Sequence, residues 1–449
     1  MYEGLLCADI AGLFVNGRDV PQDIVVTIPQ PEAGKIMTIP IEQLLNLPDI
    51  HVLNVEISKR EIRCDLESTR GFAICHRCGE RAAKFFEHGE TLMLRHLPIC
   101  ERKVTLYLQT KRYRCLYCEG QPTTTERGDW YDTQANCTKA FADSLLRDLV
   151  NSTISDVADK HRVSYGCVRG LLTRYVRGEV DWRQFKHLRQ LGLDEISLLK
   201  GHKDFVTLVS TRDEQGEPAI LAVLDGRKKE TVVAFLESIP ESLRATIEEV
   251  CTDLYDGFIN AAQEVLPQAR VVGDRFHVAK LYRAALDDLR KSEMKELRGV
   301  LSKQQFSGLK GVLWALRRKS EDLTPQEQQA LDLLFECSPA LRKAYALREK
   351  LTAIFDTKQT KEAAQSRLLE WIAEVEGSGL DCFDKFINTL KERMEIITNY
   401  FVRRSNSGWI EGLNNKIKVI KRRCYGLASA INLFRRIWLD LNGREAFAS

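Results

Sequence analysis

The spacing of apolar residues changes several times along the chain, and each change predicts a different element. Residues 103–110, Lys-Val-Thr-Leu-Tyr-Leu-Gln-Thr, alternate apolar and polar side chains with period two, as a half-exposed strand does. From Thr138 the period lengthens to that of a helix. Thr138 can cap a helix running to about Val150, with Phe141, Leu145, Leu146 and Leu149 on one face. Thr153 caps a short second helix over residues 154–160, a tight turn follows at His161-Arg-Val163, and Ser164 caps a third helix to about Val176. In the third, Val168, Leu171, Leu172 and Tyr175 recur at i, i+3, i+4 and i+7, which leaves Tyr165 and Arg169 on the free outer face. That is the pattern of a helix-turn-helix, in which the later helix can enter a DNA major groove. Short capped helix pairs also occur in cores that never meet DNA.

Beyond Leu188 strands return. Residues 191–199, 204–210 and 218–224 read as three consecutive strands joined by short turns, and Lys229–Ser238 reads as a helix. Residues 248–253 form a strand ending in an acid, 255–265 a helix, and 269–274 a fifth strand that again ends in an acid. Three strands, a helix, then strand and helix in alternation is the order of a ribonuclease H-like core. In that topology Asp194, within the first strand, and Asp253, at the end of the fourth, are neighbours. The roughly 125 residues between His277 and Arg403 show no strand alternation. Helix signals are dense there: Thr324-Pro-Gln-Glu327 is a capping box with proline at the first helical position, Ser338-Pro339 repeats the device, and Gly377 closes a segment from Thr360 to Glu376. An all-α insertion thus separates the end of the chain from the first two acids. It is either a helical domain with its own small core or a module that supports the rest.

Composition narrows the class. A length of 449 residues suits two to four domains, and 44% hydrophobic with 29% charged residues is ordinary for a soluble globular protein. No apolar run approaches the roughly 18–20 residues that span a bilayer, so no membrane partner is expected. The first residues lack a basic start and an apolar core, so a secretory signal is not expected. Net charge is only +3, from 66 Lys+Arg against 63 Asp+Glu, which excludes a histone-like polycation but not local basic patches. Thirteen cysteines is an odd number, which argues against a disulfide scaffold and for reduced thiols or a metal site.

Four of the thirteen stand apart. Cys75-His-Arg-Cys78-Gly and Cys115-Leu-Tyr-Cys118-Glu-Gly are paired knuckles with hairpin-like sequence between them, able to offer four thiolates to a structural Zn²⁺. The 36 residues separating the knuckles exceed the commonest zinc-ribbon spacing, and Cys100, His76, His88 and His96 are substitute ligands within reach. Basic residues from Arg95 to Arg114, interleaved with Tyr107 and Tyr113, suggest a surface for phosphates. The other nine cysteines read as small buried apolar residues.

Two carboxylates can hold Mg²⁺, but two-metal phosphoryl transfer calls for a third. Between Arg403 and Arg423 seven basic residues surround one acid, Glu411, at the start of a helical stretch, a setting that suits a metal ligand beside a phosphodiester channel. Glu195, Asp204, Asp225 and Asp256 compete for the role. Successive side chains of a strand face opposite sides, so Asp194 and Glu195 cannot both reach one metal pair, and Asp256, early in the following helix, is the most serious rival.

At these residues the chain resembles the ISL3-type insertion-sequence transposases, a branch of the DDE nucleotidyltransferases. The resemblance is carried by Leu-Asp194-Glu-Ile with Lys200-Gly-His202, Thr-Asp253-Leu-Tyr-Asp, Val-Gly-Asp274-Arg-Phe-His277, Ser405-Asn-Ser-Gly-Trp-Ile-Glu411-Gly-Leu-Asn-Asn-Lys and Lys421-Arg-Arg-Cys-Tyr-Gly426. It implies Asp194, Asp253 and Glu411 as catalytic ligands of two Mg²⁺ (or Mn²⁺) ions, with Asp274 and His277 in support. It further implies that Lys416, Lys418 and Arg422, with Tyr165 and Arg169, contact DNA. Its partners would be double-stranded DNA, as terminal inverted repeats and target, and a second copy of the chain on that DNA. The setting would be the bacterial cytoplasm, at the nucleoid.

The expected architecture is multidomain α+β. It comprises an arm of unknown role (1–42), a zinc-binding domain (43–130), a helix-turn-helix (131–185), the first part of a ribonuclease H-like core (186–290), an all-helical insertion (291–400) and the last part of the core (401–449). The competing function is a DNA-binding regulator whose ribonuclease H-like core is catalytically silent.

Overall fold

The structure is a computed structural model describing residues 25–29, 36–197, 205–212, 216–404, 408–424 and 429–448, without the side chains of 25–29, 36–39 and 408–411. Lys200-Gly-His202, Asp204, Ser405-Asn-Ser407 and Tyr425-Gly426 therefore lie outside the described residues. Two compact units divide the chain: Met1–Val176 with Leu439–Ser449, and Arg177–Trp438. Among the described residues no helix is long and apolar enough to cross a membrane.

In the first unit, Val25–Pro29 pairs antiparallel with Ile36–Pro40 in a hairpin of its own. The main sheet follows, from β1 (Ile50–Ile57), β2 (Glu61–Ser68), β3 (Lys84–Ile99), β4 (Arg102–Arg114), β5 (Thr123–Thr125), β6 (Tyr131–Asp132) and β7 (Cys137–Thr138). Its order is β6-β7-β3-β4-β2-β1, with β5 on β4. The stretch expected to alternate is the middle of β4, where Val104, Leu106 and Leu108 are buried with Leu66 and Leu94. Hairpin β3–β4 turns through two residues, Cys100 and Glu101, both with positive φ (47° and 61°), as a tight hairpin turn requires. Cys100 is thereby a turn residue and exposed.

Three helices follow: α1 (Lys139–Leu149), α2 (Ile154–His161) and α3 (Tyr165–Tyr175). Thr138, Thr153 and Ser164 cap them, each side chain accepting a backbone N–H from three residues on. Phe141, Leu145, Leu146, Leu149, Val157, Val168, Leu171 and Leu172 are all buried. Tyr165 is 51% exposed and Arg169 is exposed, one turn apart on α3.

His96 on β3 ties this helical module to the sheet. Its Nδ1 lies 3.0 Å from the Thr138 hydroxyl, whose oxygen also accepts the Phe141 N–H, and a backbone hydrogen bond links the ring to Leu45. Burial pushes its pKa down to about 4. In the unfolded chain the group titrates near 6.5, so the unfolded state binds more protons between the two values. The stabilisation is complete above pH 6.5 and is lost as pH falls toward 4, a difference of about 3 kcal/mol.

The second unit is built on β8 (Gln190–Ser197), β9 (Phe205–Arg212), β10 (Pro218–Asp225), β11 (Glu249–Thr252) and β12 (Arg270–Gly273), in the order β10-β9-β8-β11-β12. β8, β9 and β10 are antiparallel neighbours; β8, β11 and β12 run parallel. Parallel neighbours need crossovers, which α4 (Lys229–Ser238) and α5 (Asp256–Val265) supply. Their buried Val232, Leu236, Phe258, Ile259 and Ala262 pack with Leu191, Leu193, Val209, Val250 and Val271 of the strands.

After β12 comes α6 (Arg275–Val300), 26 residues without a break, so the division expected at residue 290 falls inside one helix. It is followed by α7 (Pro325–Cys337), α8 (Pro339–Asp356), α9 (Lys361–Glu376) and α10 (Asp384–Glu392), among shorter turns. Thr324 with Glu327 forms the expected capping box, and Ser338 and Thr360 cap α8 and α9. These helices do not have a core to themselves. Cys251 of β11 and Val272 of β12 belong to the same buried cluster as Tyr282, Leu331, Leu351, Trp371 and Phe386. The buried Asn399 amide donates to the Val271 carbonyl (2.8 Å), a second tie to the sheet. The chain then enters α11 (Gly408–Arg423) and α12 (Ala430–Ala446).

Chemical denaturation followed between pH 7.5 and 4.5 is expected to show the wild-type first unit losing up to about 3 kcal/mol that His96→Gln does not lose. Equal slopes for the two proteins would remove His96 as the cause.

Candidate active site and metal centres

Parallel pairing of β8 with β11 sets Leu193 opposite Thr252. The next residue on each chain is an acid, so Asp194 and Asp253 leave adjacent strands side by side. Asp194 is 9% exposed, while Asp253 stands just past the end of β11 and is partly buried. One strand further across, Asp274 ends β12 and starts α6. Its Oδ1 caps the helix by accepting the Phe276 N–H (2.9 Å), and its Oδ2 lies 2.9 Å from His277 Nδ1. One carboxylate thus starts the helix and aims the imidazole. Ligand atoms of Asp194, Asp253 and His277 all fall within 4.8 Å of one another.

Electrostatics at this cluster are unbalanced. Burial raises the pKa of Asp194 against the opposing pull of His277, the Glu195 N–H (2.7 Å) and the Asn414 amide. Burial likewise raises that of Asp253, against the Tyr255 N–H (3.0 Å) and His277. For His277 burial acts downward, yet the Asp274 hydrogen bond and charge, with Asp194 and Asp253, hold its pKa above the usual value. The two carboxylates and the Asp274 charge together favour positive charge at this point of the pocket. Two carboxylate oxygens are hard ligands suited to Mg²⁺ or Mn²⁺, so the residues fit such a cation.

Of the rival acids, Glu195 and Asp256 are engaged elsewhere. Glu195 faces the other way and pairs with Arg227 (2.7 Å). Asp256 is bonded to Arg393 and its side chain is 62% exposed. Asp225 is exposed. Glu411 lies in the first turns of α11, but its side chain is outside the described residues. Three residues further along that helix, the Asn414 amide donates to Asp194 Oδ2, and Lys421 donates to the Ser197 carbonyl at the end of β8. Lys418 and Arg422, four apart, are exposed on α11, while Lys416 is partly buried. Sequence reasoning did not single out Asn414, and it gave His277 a supporting role. The spacing Glu-x-x-Asn, which puts both residues on one helix face, was the available signal for the first.

The knuckles form a second centre. Cys75 Sγ lies 3.9 Å from Cys118 Sγ, and Cys78 Sγ lies 3.7 Å from Cys115 Sγ; all four sulfurs sit within 4.8 Å of one another. A disulfide would need about 2.05 Å. Four thiolates about 2.3 Å from one Zn²⁺ at tetrahedral angles stand about 3.8 Å apart, which matches. Backbone N–H groups of Cys78 and Arg77 pull the Cys75 thiol down to about 6, whereas contact with Cys78 and burial push Cys118 up to about 12. Four thiols so close cannot all ionise without a cation. Gly79 and Gly120, both at positive φ (76° and 75°), close the two turns. His96 is engaged with Thr138, and His76 Nδ1 lies 3.0 Å from the Thr124 hydroxyl, so neither is needed as a ligand.

Comparison with known proteins identifies the family. A family model described as a transposase, of the ISL3 DDE type, matches residues 191–437, and a model for the zinc finger of transposases IS204/IS1001/IS1096/IS1165 matches 72–118. The transposase for insertion sequence element IS1001 of Bordetella parapertussis is 29% identical over 379 residues, covering 84% of this chain and 91% of that protein. The transposase for insertion sequence element IS1557 of Mycobacterium tuberculosis is 26% identical over 396 residues, covering 83% and 86%. The chain belongs to the ISL3 family of DDE transposases.

Elemental analysis of the purified protein is expected to return about one zinc per chain, and the double variant Cys75→Ser, Cys78→Ser to return none. Folded, metal-free wild type with four titratable thiols would overturn the zinc assignment.

Proposed function

We propose that this transposase cuts and joins DNA at the ends of an insertion sequence, with Asp194, Asp253 and Glu411 as its catalytic acids. The observation that carries the reading is the parallel register of β8 and β11, which sets Asp194 beside Asp253. The sheet order, with the second strand antiparallel and crossover helices after the third and fourth, supports a ribonuclease H-like core divided by the helical region.

Asp194 and Asp253 would hold one divalent cation, and Asp194 with Glu411 the other. When bound, Mg²⁺ or Mn²⁺ would activate the attacking oxygen and stabilise the leaving one. The chain's own contribution is placement. β8 and β11 fix two carboxylates, Asp274 orients His277, and α11 brings Glu411 to the same site. Because water and a terminal 3′-hydroxyl differ only as nucleophiles, one acid set serves both cleavage and strand transfer.

Recognition of the terminal inverted repeats falls to the first unit. The capped helices α1–α3 support a helix-turn-helix in which Tyr165 and Arg169 face the major groove. The zinc ribbon adds backbone contacts, while Lys418 and Arg422, with Lys416, line the path of the cleaved strand. The boundaries near 42, 130, 185 and 400 serve as working divisions. Two copies acting on paired ends, in the bacterial cytoplasm, complete the reading.

Asp253→Asn is expected to abolish divalent-cation-dependent cleavage and joining of cognate ends, by at least about a thousandfold, while leaving end binding in a mobility-shift assay unchanged. Retained cleavage would reject the acid assignment and favour a different ligand set.

A further inference from the structure

The helix that carries Glu411 is joined to the first catalytic strand through Asn414. Its Nδ2 donates to Asp194 Oδ2 across 220 positions of sequence, while Asp194 Oδ1 accepts the Glu195 N–H. A carboxylate is acceptor-only, so the amide must present its nitrogen there. Its Oδ1 is then turned away, and it is buried with no partner among the described residues. A buried carbonyl without a donor is a cost to folding, so this amide is not arranged for stability alone. Lys421, two turns further on, already pins α11 to the Ser197 carbonyl of the same strand. The helix therefore has another anchor, and what Asn414 adds is the orientation of one carboxylate.

We propose that Asn414 is a positioning residue for the reaction, holding the Asp194 carboxylate in the rotation that binds a divalent cation. The inference rests on reading Asp194 as a metal ligand. With one bond at each oxygen, from Glu195 and from Asn414, the carboxylate plane is set, and its remaining lone pairs are left for the cation shared with Asp253. Without the amide, Asp194 keeps a single backbone bond and can turn about its side-chain torsion. Groups that orient a ligand in this way typically contribute 10–100-fold to metal affinity or activity. The same contact couples the two halves of the divided core, since Asn414 stands one turn from Glu411.

The test is Mn²⁺ titration of the full-length, zinc-loaded protein, followed by the electron paramagnetic resonance signal of free Mn²⁺. It is run on wild type, Asn414→Ala, Asn414→Ser and Asp253→Asn, with thermal unfolding and cleavage kinetics on an end-bearing duplex. Asn414→Ala is expected to weaken Mn²⁺ binding 10–100-fold and to lower kcat. KM for the duplex and the unfolding midpoint should remain as in wild type. Asn414→Ser, too short to reach Asp194, gives the same readings if the alanine variant does not fold. Wild-type Mn²⁺ affinity with wild-type kcat in either folded variant would overturn the proposal. The same loss of Mn²⁺ binding accompanied by a large fall in unfolding midpoint would also overturn it, by making the contact structural. Asp253→Asn separates the two layers: if it binds Mn²⁺ as wild type does, the metal-site reading itself fails, whatever Asn414 does.

Discussion

Two carboxylates held side by side, largely out of water, are the constraint on which the second unit depends. Left alone they repel, and burial makes each reluctant to ionise. Hydrogen bonds alone do not remove the conflict, for both groups remain harder to ionise than free aspartate despite a backbone N–H donor to each. Rigid elements must hold them together instead. The parallel register of β8 and β11 does so, because a slip by one residue would exchange the side chains packed on the two faces, taking Leu191, Leu193 or Val250 out of the core that now holds them. The apolar packing of the sheet thus fixes a polar geometry between two of its interior strands.

The helical region takes on meaning from the same constraint. It interrupts the sequence between Asp274 and α11, yet shares buried contacts with Cys251 and Val272 and donates Asn399 to the carbonyl of Val271. A long insertion with a separate core could move independently of the strands it interrupts. One that shares their core cannot, and α11 re-enters at a fixed place. The first unit uses the same economy on a smaller scale, where the hydroxyl of Thr138 caps a helix and engages His96 of the sheet at once.

Much of this was legible in the sequence because local signals govern it. Caps at Thr138, Thr153, Ser164, Thr324 and Ser338 place helix starts, and period-two alternation places the strands. The pairing of Asp194 with Asp253 was legible one level higher, since the order of strands and helices limits which strands can be adjacent. What could not be read depends on contacts between distant segments. Asp256 looks as well placed as Asp253 until Arg393, from the far side of the insertion, occupies it. The division near 290 has no counterpart in the backbone, which continues as one helix to Val300. Asn414 is an ordinary polar helix residue until the fold sets it against a carboxylate 220 positions earlier.

That last separation bears on the order of events during synthesis. Strands β8 to β12 can pair as soon as they leave the ribosome, and the helices after them can pack as they emerge. The strand carrying Asp194 nevertheless lacks its partner from α11 until some 140 further residues after Asp274 have been translated. A nascent chain stalled in that interval, or a product cut short within it, carries the paired aspartates without the helix that orients one of them.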